Sequence, residues 1–176
     1  PAARTAMDAL LKVHPDGALG LQLAGTIAYE SGSDVQAQEY LTEALQKAPG
    51  LNFGRRILVL SQLRSGQPAK ALTTLHPVLQ GGRVDATWLA LAGDTHMHLG
   101  DAKTAQDYFA RAAKASPDNS RIQTALALTR LRTGQTDQAF ADLDRIAAAD
   151  SGTAADMALI ASSLRQKRFD QALTAI

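Results

Sequence analysis

The sequence predicts an all-α protein built from repeated pairs of antiparallel helices. Glycine recurs at a fixed interval of 34 residues, at Gly32, Gly66, Gly100 and Gly134. Apolar residues keep a constant distance from each glycine, with an alanine five residues later and a large apolar residue nine residues later. Spacings of three and four among apolar positions are typical of amphipathic helices, and no segment shows the sustained alternation of a strand. A period of this kind indicates stacked units.

Within each period, the glycine separates two predicted helices. The clearest example has a first helix at about 18–31 and a second at about 34–47, which ends before Pro49 because proline cannot continue a helix. The glycine is expected to adopt a positive φ at the inner turn. Close approach of the paired helices is expected where residues are small, at Gly25, Gly93, Ala37 and Ala105.

Three residues predict features of individual helices. Asp101 follows Gly100 and is expected to cap the next helix, because its carboxylate can accept from free N–H groups of the first turn. Pro68 suits a first helical position. Pro77 lies inside a predicted second helix, so we expect a kink or an early helix end near it.

The 34-residue helix–turn–helix pattern resembles the tetratricopeptide repeat (TPR), which implies an α-solenoid with a right-handed superhelix. In this register, residues 1–17 hold the second helix of a truncated repeat. Full repeats then cover 18–51, 52–85, 86–119 and 120–152, and 153–176 form a partial repeat, all within one array over 1–176. The turn of the partial repeat, Gln166-Lys167-Arg168-Phe169-Asp170, has no glycine and matches least well. Gly81-Gly82 and Ser151-Gly152 are expected to be softer joints.

The resemblance also implies where a partner would bind, because the first helix of each pair lines the concave groove in the TPR family. Groove positions lie thirteen, ten, six, three and two residues before each glycine position. The candidate partner-binding residues at these offsets are Tyr29, Arg56, Leu60, Leu63, Arg64, Asp94, Met97, His98, Leu128 and Arg132. Apolar side chains flanked by arginines suit an extended or helical peptide that carries acidic groups. We therefore expect a scaffold for a protein or peptide partner.

Two other roles remain open at this point. First helices of the second and fourth repeats carry arginines and no acid: Arg55, Arg56, Arg64, Arg121, Arg130 and Arg132. They could form a basic stripe for an acidic peptide or an anionic polysaccharide, or an ordinary solvated face neutralised by Asp107, Asp142 and Asp144. The array could instead be a spacer that self-associates end to end through exposed apolar residues: Met7, Leu10, Leu159 and Leu173.

Several function classes are disfavoured. The net charge of +1 argues against a nucleic-acid binder, and no apolar run approaches the roughly 20 residues that cross a bilayer. No motif organises a catalytic site, a metal site or a cofactor, so we expect a non-enzymatic protein. His96 and His98 are two apart on a helix and point in different directions, so His96 is expected to pack and His98 to line the groove. Trp88 is also expected to pack.

The carboxylate clamp of chaperone-binding TPR domains needs Lys and Asn at the ten-before and six-before offsets. This chain has other residues there: Gln22, Thr26, Arg56, Leu60, Ala90 and Asp94. That class of partner is therefore not expected.

Four phrases resemble the TPR lipoproteins of bacterial PEP-CTERM/exosortase systems. They are Gly100-Asp101-Ala102, Tyr108-Phe109-Ala110-Arg111-Ala112, Asp156-Met157-Ala158-Leu159-Ile160 and Arg168-Phe169-Asp170-Gln171-Ala172-Leu173. This resemblance implies a role linked to exopolysaccharide and envelope protein sorting. It also implies a periplasmic or outer-membrane-anchored location, with a lipid anchor upstream of Pro1. A cytoplasmic location is the alternative.

Overall fold

The computed structural model describes residues 17–82, 84–149 and 153–168. Over these ranges it contains nine helices and no strand, which confirms the predicted all-α class. The helices are α1 (Ala18–Glu30), α2 (Asp34–Lys47), α3 (Asn52–Arg64), α4 (Pro68–Leu79), α5 (Ala86–His98), α6 (Ala102–Ala115), α7 (Ser120–Arg132), α8 (Thr136–Ala149) and α9 (Thr153–Arg165). The second helices predicted within 1–17 and near the end of the chain lie outside the described residues.

The chain divides into two compact units. The first unit, up to Gly81, contains α1 to α4, and the second, from Gly82, contains α5 to α9. Within each unit every helix packs against the next helix along the chain. First helices of consecutive pairs also touch within a unit, α1 against α3 and α7 against α9. This nearest-neighbour packing is the arrangement of a helical repeat protein.

A left-handed residue reverses the chain inside each pair. The φ angles are +78° at Gly32, +69° at Gly66, +80° at Gly100 and +85° at Gly134, as the spacing predicts. The glycine N–H donates to the carbonyl three residues back, and the next N–H donates to the carbonyl five residues back. This hydrogen-bond pattern satisfies carbonyls that the helix end would otherwise leave free.

The turn without glycine has the same geometry. Lys167 takes the glycine position with a φ of +59°, the only positive φ of a non-glycine residue in the described part of the chain. Its N–H donates to the carbonyl of Leu164 at 3.1 Å, and the N–H of Arg168 donates to that of Ser163 at 2.8 Å. The weakest sequence match therefore keeps the turn, at the conformational cost of a side chain in the left-handed region.

The paired helices meet where the sequence has small residues. A Cβ atom on Gly93 would lie 2.9 Å from three atoms of the Phe109 ring, and one on Gly25 would lie 2.5 Å from Cγ of Leu41. Phe109 and Leu41 are themselves buried. The prediction of close approach at Gly25 and Gly93 is confirmed, and each glycine admits one large residue of the second helix.

The predicted features of single helices are also present. The Asp101 carboxylate accepts from the N–H of Thr104 at 3.1 Å and caps α6. Pro68 is the first residue of α4. Helix α4, with Pro77 inside it, has 12 residues, whereas α2, α6 and α8 have 14 each, so it ends early as expected.

We expect Gly93→Ala to destabilise the protein by up to about 2 kcal/mol. The overpacking cost of about 1–3 kcal/mol against the fixed Phe109 ring exceeds the gain of about 1 kcal/mol in helix propensity. Urea unfolding measures the difference. The control is Gly50→Ala, where no atom lies within 4 Å of the added Cβ. Equal effects of the two substitutions would contradict the prediction.

We expect Lys167→Gly to stabilise the last described helix pair by about 0.5–1 kcal/mol, because glycine adopts a positive φ without steric cost. Amide hydrogen exchange along α9 measures this locally. The neighbouring Gln166→Gly is the control, because the φ of Gln166 is not positive and glycine there only adds freedom to the unfolded chain. Slower exchange is expected for the first variant and faster exchange for the second.

Candidate functional site

The first helices of the second unit present one common face. On α7 the residues Ile122, Leu126 and Thr129 are buried against neighbouring helices. The side chains that remain open lie three or four residues apart, hence on the opposite side of the helix: Arg121, Thr124, Leu128, Leu131 and Arg132. We call this surface, together with the equivalent positions of α5 and α9, the second-unit face.

Helices α5 and α9 extend the second-unit face on either side of α7. Met97 is half-buried and His98 is exposed on α5. Helix α9 contributes Met157 and Leu164, which are 63% and 52% exposed. The hydroxyl oxygen of Thr129 lies 3.7 Å from the sulfur of Met97, so α5 and α7 are in direct contact. The predicted binding residues of this unit therefore lie on two adjacent helices, with Asp94, Met97 and His98 on α5 and Leu128 and Arg132 on α7.

Asp94 is the acidic residue at the centre of α5 on the second-unit face. Its carboxylate is half-buried and takes part in none of the hydrogen bonds among the described residues. Burial raises the pKa of Asp94, while the nearby charges of Arg121 and His98 act in the opposite direction. The site thus holds a carboxylate that is poorly solvated and only partly compensated.

Arg64 in the first unit contacts both Tyr29 and Asp34. The Arg64 guanidinium donates to both oxygens of the Asp34 carboxylate, with Nε 2.8 Å from Oδ2, and donates to the carbonyl of Tyr29 at 2.6 Å. It also lies 3.9 Å from the centroid of the Tyr29 ring. Hydrogen bonds from Arg64 lower the pKa of Asp34. These two predicted binding residues therefore form a link between consecutive repeats.

The other binding residues predicted in the first unit differ in how far they are buried. Leu63 was predicted to contact a partner. It is instead buried in the core, with 7% of its surface exposed, so a partner cannot reach it. Packing at the joint between repeats explains this, because α3 lies between α2 and α4. Leu60 is half-buried against the core of the first unit. Arg56 is half-buried and lies 6.0 Å from the centroid of the exposed Phe53 ring.

The six first-helix arginines do not form one uniform stripe. Arg55 is buried and donates to the carbonyls of Pro49 and Thr74, so it braces the loop before α3 against α4. Arg130 pairs with Asp142, as the neutralised-face interpretation expects. Asp107 and Asp144, the other proposed counterions, form no ion pair within the described ranges. Arg121 and Arg132 remain exposed on the second-unit face.

Polar links between repeats are a feature that the sequence reasoning missed. Gln38 donates to the hydroxyl of Ser65 at 3.1 Å. In the second unit, Gln106 accepts from the hydroxyl of Thr133 at 2.8 Å, and Gln135 joins this group. The signal was present, because the two glutamines stand at the same distance from Gly32 and Gly100, and the hydroxyl residues directly precede Gly66 and Gly134.

The remaining predictions on single residues can also be placed. Trp88 is buried. His96 packs on Tyr108, with ring centroids 5.4 Å apart, which confirms its predicted packing role. Leu159 is buried against Phe140 and Leu143, so the expectation that it forms an exposed apolar end is wrong, because α9 folds back onto α8. Met7, Leu10 and Leu173, the other proposed end residues, lie outside the described residues.

The described residues also limit other kinds of site. They contain no group of three or more His, Cys, Asp or Glu side chains that could hold a metal ion. None of the helices in the described ranges is both long and apolar enough to span a bilayer.

Comparison with known families identifies the repeat. Sequence models of the tetratricopeptide repeat match residues 1–52 and 58–120 in one case and residues 96–164 in another. The chain belongs to the tetratricopeptide repeat family. No curated protein matches the sequence.

Solved structures share the TPR fold at low identity. The structure of the APC/C hetero-tetramer Cut9–Hcn1 aligns with a TM-score of 0.82 at 15% identity over 99% of this chain. This chain spans only 35% of that relative. TTC0263, a thermophilic TPR protein from Thermus thermophilus, aligns with a TM-score of 0.76 at 19% identity, over 90% of this chain and 88% of that one. YrrB, described as a TPR protein with an unusual peptide-binding site, aligns with a TM-score of 0.70 at 13% identity, over 97% of this chain and 88% of that one. Such likenesses establish the fold.

We expect Asp94→Asn to make the protein more stable at neutral pH. A raised native pKa means that the folded state binds the proton more tightly than the unfolded state, whose value is about 3.8. Stability is therefore lost as pH rises above that value, and a neutral side chain avoids the loss. Urea unfolding at pH 7 and at pH 3 tests this, with the exposed Asp107→Asn as the control. The gain in the free energy of unfolding from Asp94→Asn should be smaller at pH 3 than at pH 7. A larger gain at pH 3 would contradict a raised pKa of Asp94.

Proposed function

We propose that this chain is a protein-interaction scaffold that binds a peptide or protein segment through the faces of its first helices. A TPR fold suits such a scaffold, and TPR proteins are generally non-catalytic. The supporting observation is the distribution of exposed apolar side chains. Six of the eight large ones among the described residues lie on first helices: Leu19, Leu23, Phe53, Leu128, Met157 and Leu164. Exposed apolar surface concentrated on one set of helices is typical of a binding surface.

The proposed cellular setting is a bacterial envelope system that sorts proteins in connection with exopolysaccharide. The support for it is the set of sequence phrases that resemble PEP-CTERM/exosortase TPR lipoproteins. In this setting the chain would act in the periplasm or at the outer membrane, and the alternative is action in the cytoplasm.

The binding function can be tested with a displayed library of random 12-residue peptides selected against the immobilised chain. We expect the selected peptides to bind through apolar side chains. Met157→Ser with Leu164→Ser should therefore weaken binding about thirtyfold or more, given about 1–2 kcal/mol for each apolar side chain that no longer packs on the peptide. Fluorescence anisotropy with a selected peptide measures the affinity.

The control for this test is Val35→Ser. Val35 is 72% exposed but lies on α2, a second helix. The substitution removes an exposed apolar side chain away from the proposed surface and should leave binding unchanged. Selection of no peptide at all, or equal losses of affinity in both variants, would contradict the proposed function.

A further inference from the structure

Two parallel rows of side chains lie at the C-terminal ends of the first helices of the second unit. One row is apolar, with Met97, Leu131 and Leu164 three residues before each turn residue. The next residue along each helix forms the second row, His98, Arg132 and Arg165. We infer that these rows bind partner segments in which acidic residues recur beside apolar ones, an inference that rests on the proposed function and names the chemistry of the partner.

The apolar row is open enough to contact a partner. Leu164 is 52% exposed, and Met97 and Leu131 are half-buried. The inner sides of Met97 and Leu131 pack on the cores of the second unit, so these side chains are held in place. A side chain that is anchored on one side and open on the other can bury a partner residue at little entropic cost.

The basic row is not occupied by acids of the chain itself. Arg132 and Arg165 are exposed, and no carboxylate of the described residues pairs with either one. Asp94, the carboxylate near this row, lies one turn before His98, and the charges that act on it are those of Arg121 and His98. Basic residues in a last helical turn also interact favourably with the helix dipole, which stabilises the helix without any partner. That effect does not explain why an apolar row lies beside them.

The first unit lacks this arrangement at the same offsets. Leu63 is buried and Glu30 stands where the second unit has a basic group. Arg64 is committed to Asp34 and Tyr29. The two rows are therefore a property of the second unit and not of the repeat as such.

The spacing of the helices sets the spacing expected in the partner. Packed helices lie about 8–10 Å apart, and an extended peptide advances about 3.3 Å per residue. Acidic residues three positions apart would then meet successive basic groups, with an apolar residue beside each of them. Arginine is suited to this contact because its planar guanidinium binds a carboxylate in a bidentate manner.

The test uses the same random 12-residue library and the whole chain. We expect the selected peptides to be enriched in Asp or Glu three residues apart next to apolar residues. A synthetic peptide of the selected consensus should bind about tenfold more weakly after Arg132→Gln with Arg165→Gln, and its affinity for the original chain should fall at high salt. A second selection from the library, carried out against this variant, should still yield apolar peptides, but without the preference for acidic residues.

The matched control is Lys103→Gln with Lys114→Gln, which removes the same charge from exposed positions of the second helix α6. This variant should bind the consensus peptide within about twofold of the original. Circular dichroism checks that both variants keep their helices. An equal loss of affinity in both variants, or selected peptides without acidic enrichment, would overturn the inference while the proposed function stands. Selection of no peptide would instead refute the proposed function.

An anionic polysaccharide is the competing kind of ligand. Alginate offers carboxylates at regular spacing but no apolar side chains, so it should bind at least about tenfold more weakly than the consensus peptide. Binding of alginate as tight as that of the peptide, with the same sensitivity to Arg132 and Arg165, would overturn the inference in favour of a polyanion site.

Discussion

The helix pairs depend on one backbone constraint, a single residue in the left-handed conformation at each inner turn. That residue closes the two hydrogen bonds which end the first helix, and so fixes the point from which the second helix starts. Lys167 shows that the constraint is conformational and not one of composition, because the turn forms without glycine. Since every offset is counted from this residue, it also determines which side chains of the first helix face away from the second helix of the same pair.

The features that the sequence predicted well are those set by local chemistry or by size. Turn conformation, the Asp101 cap and the early end of α4 each depend on residues close in sequence. The helix contacts at Gly25 and Gly93 depend on the exclusion of a Cβ atom, which residue identity alone determines. These signals are periodic, so each repeat supports the interpretation of the others.

The candidate site was predictable in outline only. The offsets located the right helix faces, but Leu63 and Leu131 share an offset and differ in burial, because burial depends on neighbouring helices. Arg64 and Arg132 also share an offset, yet one is held by Asp34 and the other is not. A position within a repeat therefore does not determine whether its side chain is free, since its partners come from a different repeat with a different sequence.

The Gln–Ser and Gln–Thr links between repeats have a consequence for how such a chain can change in length. Gln38 and Gln106 are 68 residues apart, as are Ser65 and Thr133, so the polar link recurs with every second repeat. Removal of the single repeat 52–85 would bring Leu99 to the position of Ser65 and leave Gln38 opposite an apolar side chain. Gain or loss of two repeats at a time keeps each glutamine opposite a hydroxyl group. This array is therefore suited to growth by duplication of two consecutive repeats together.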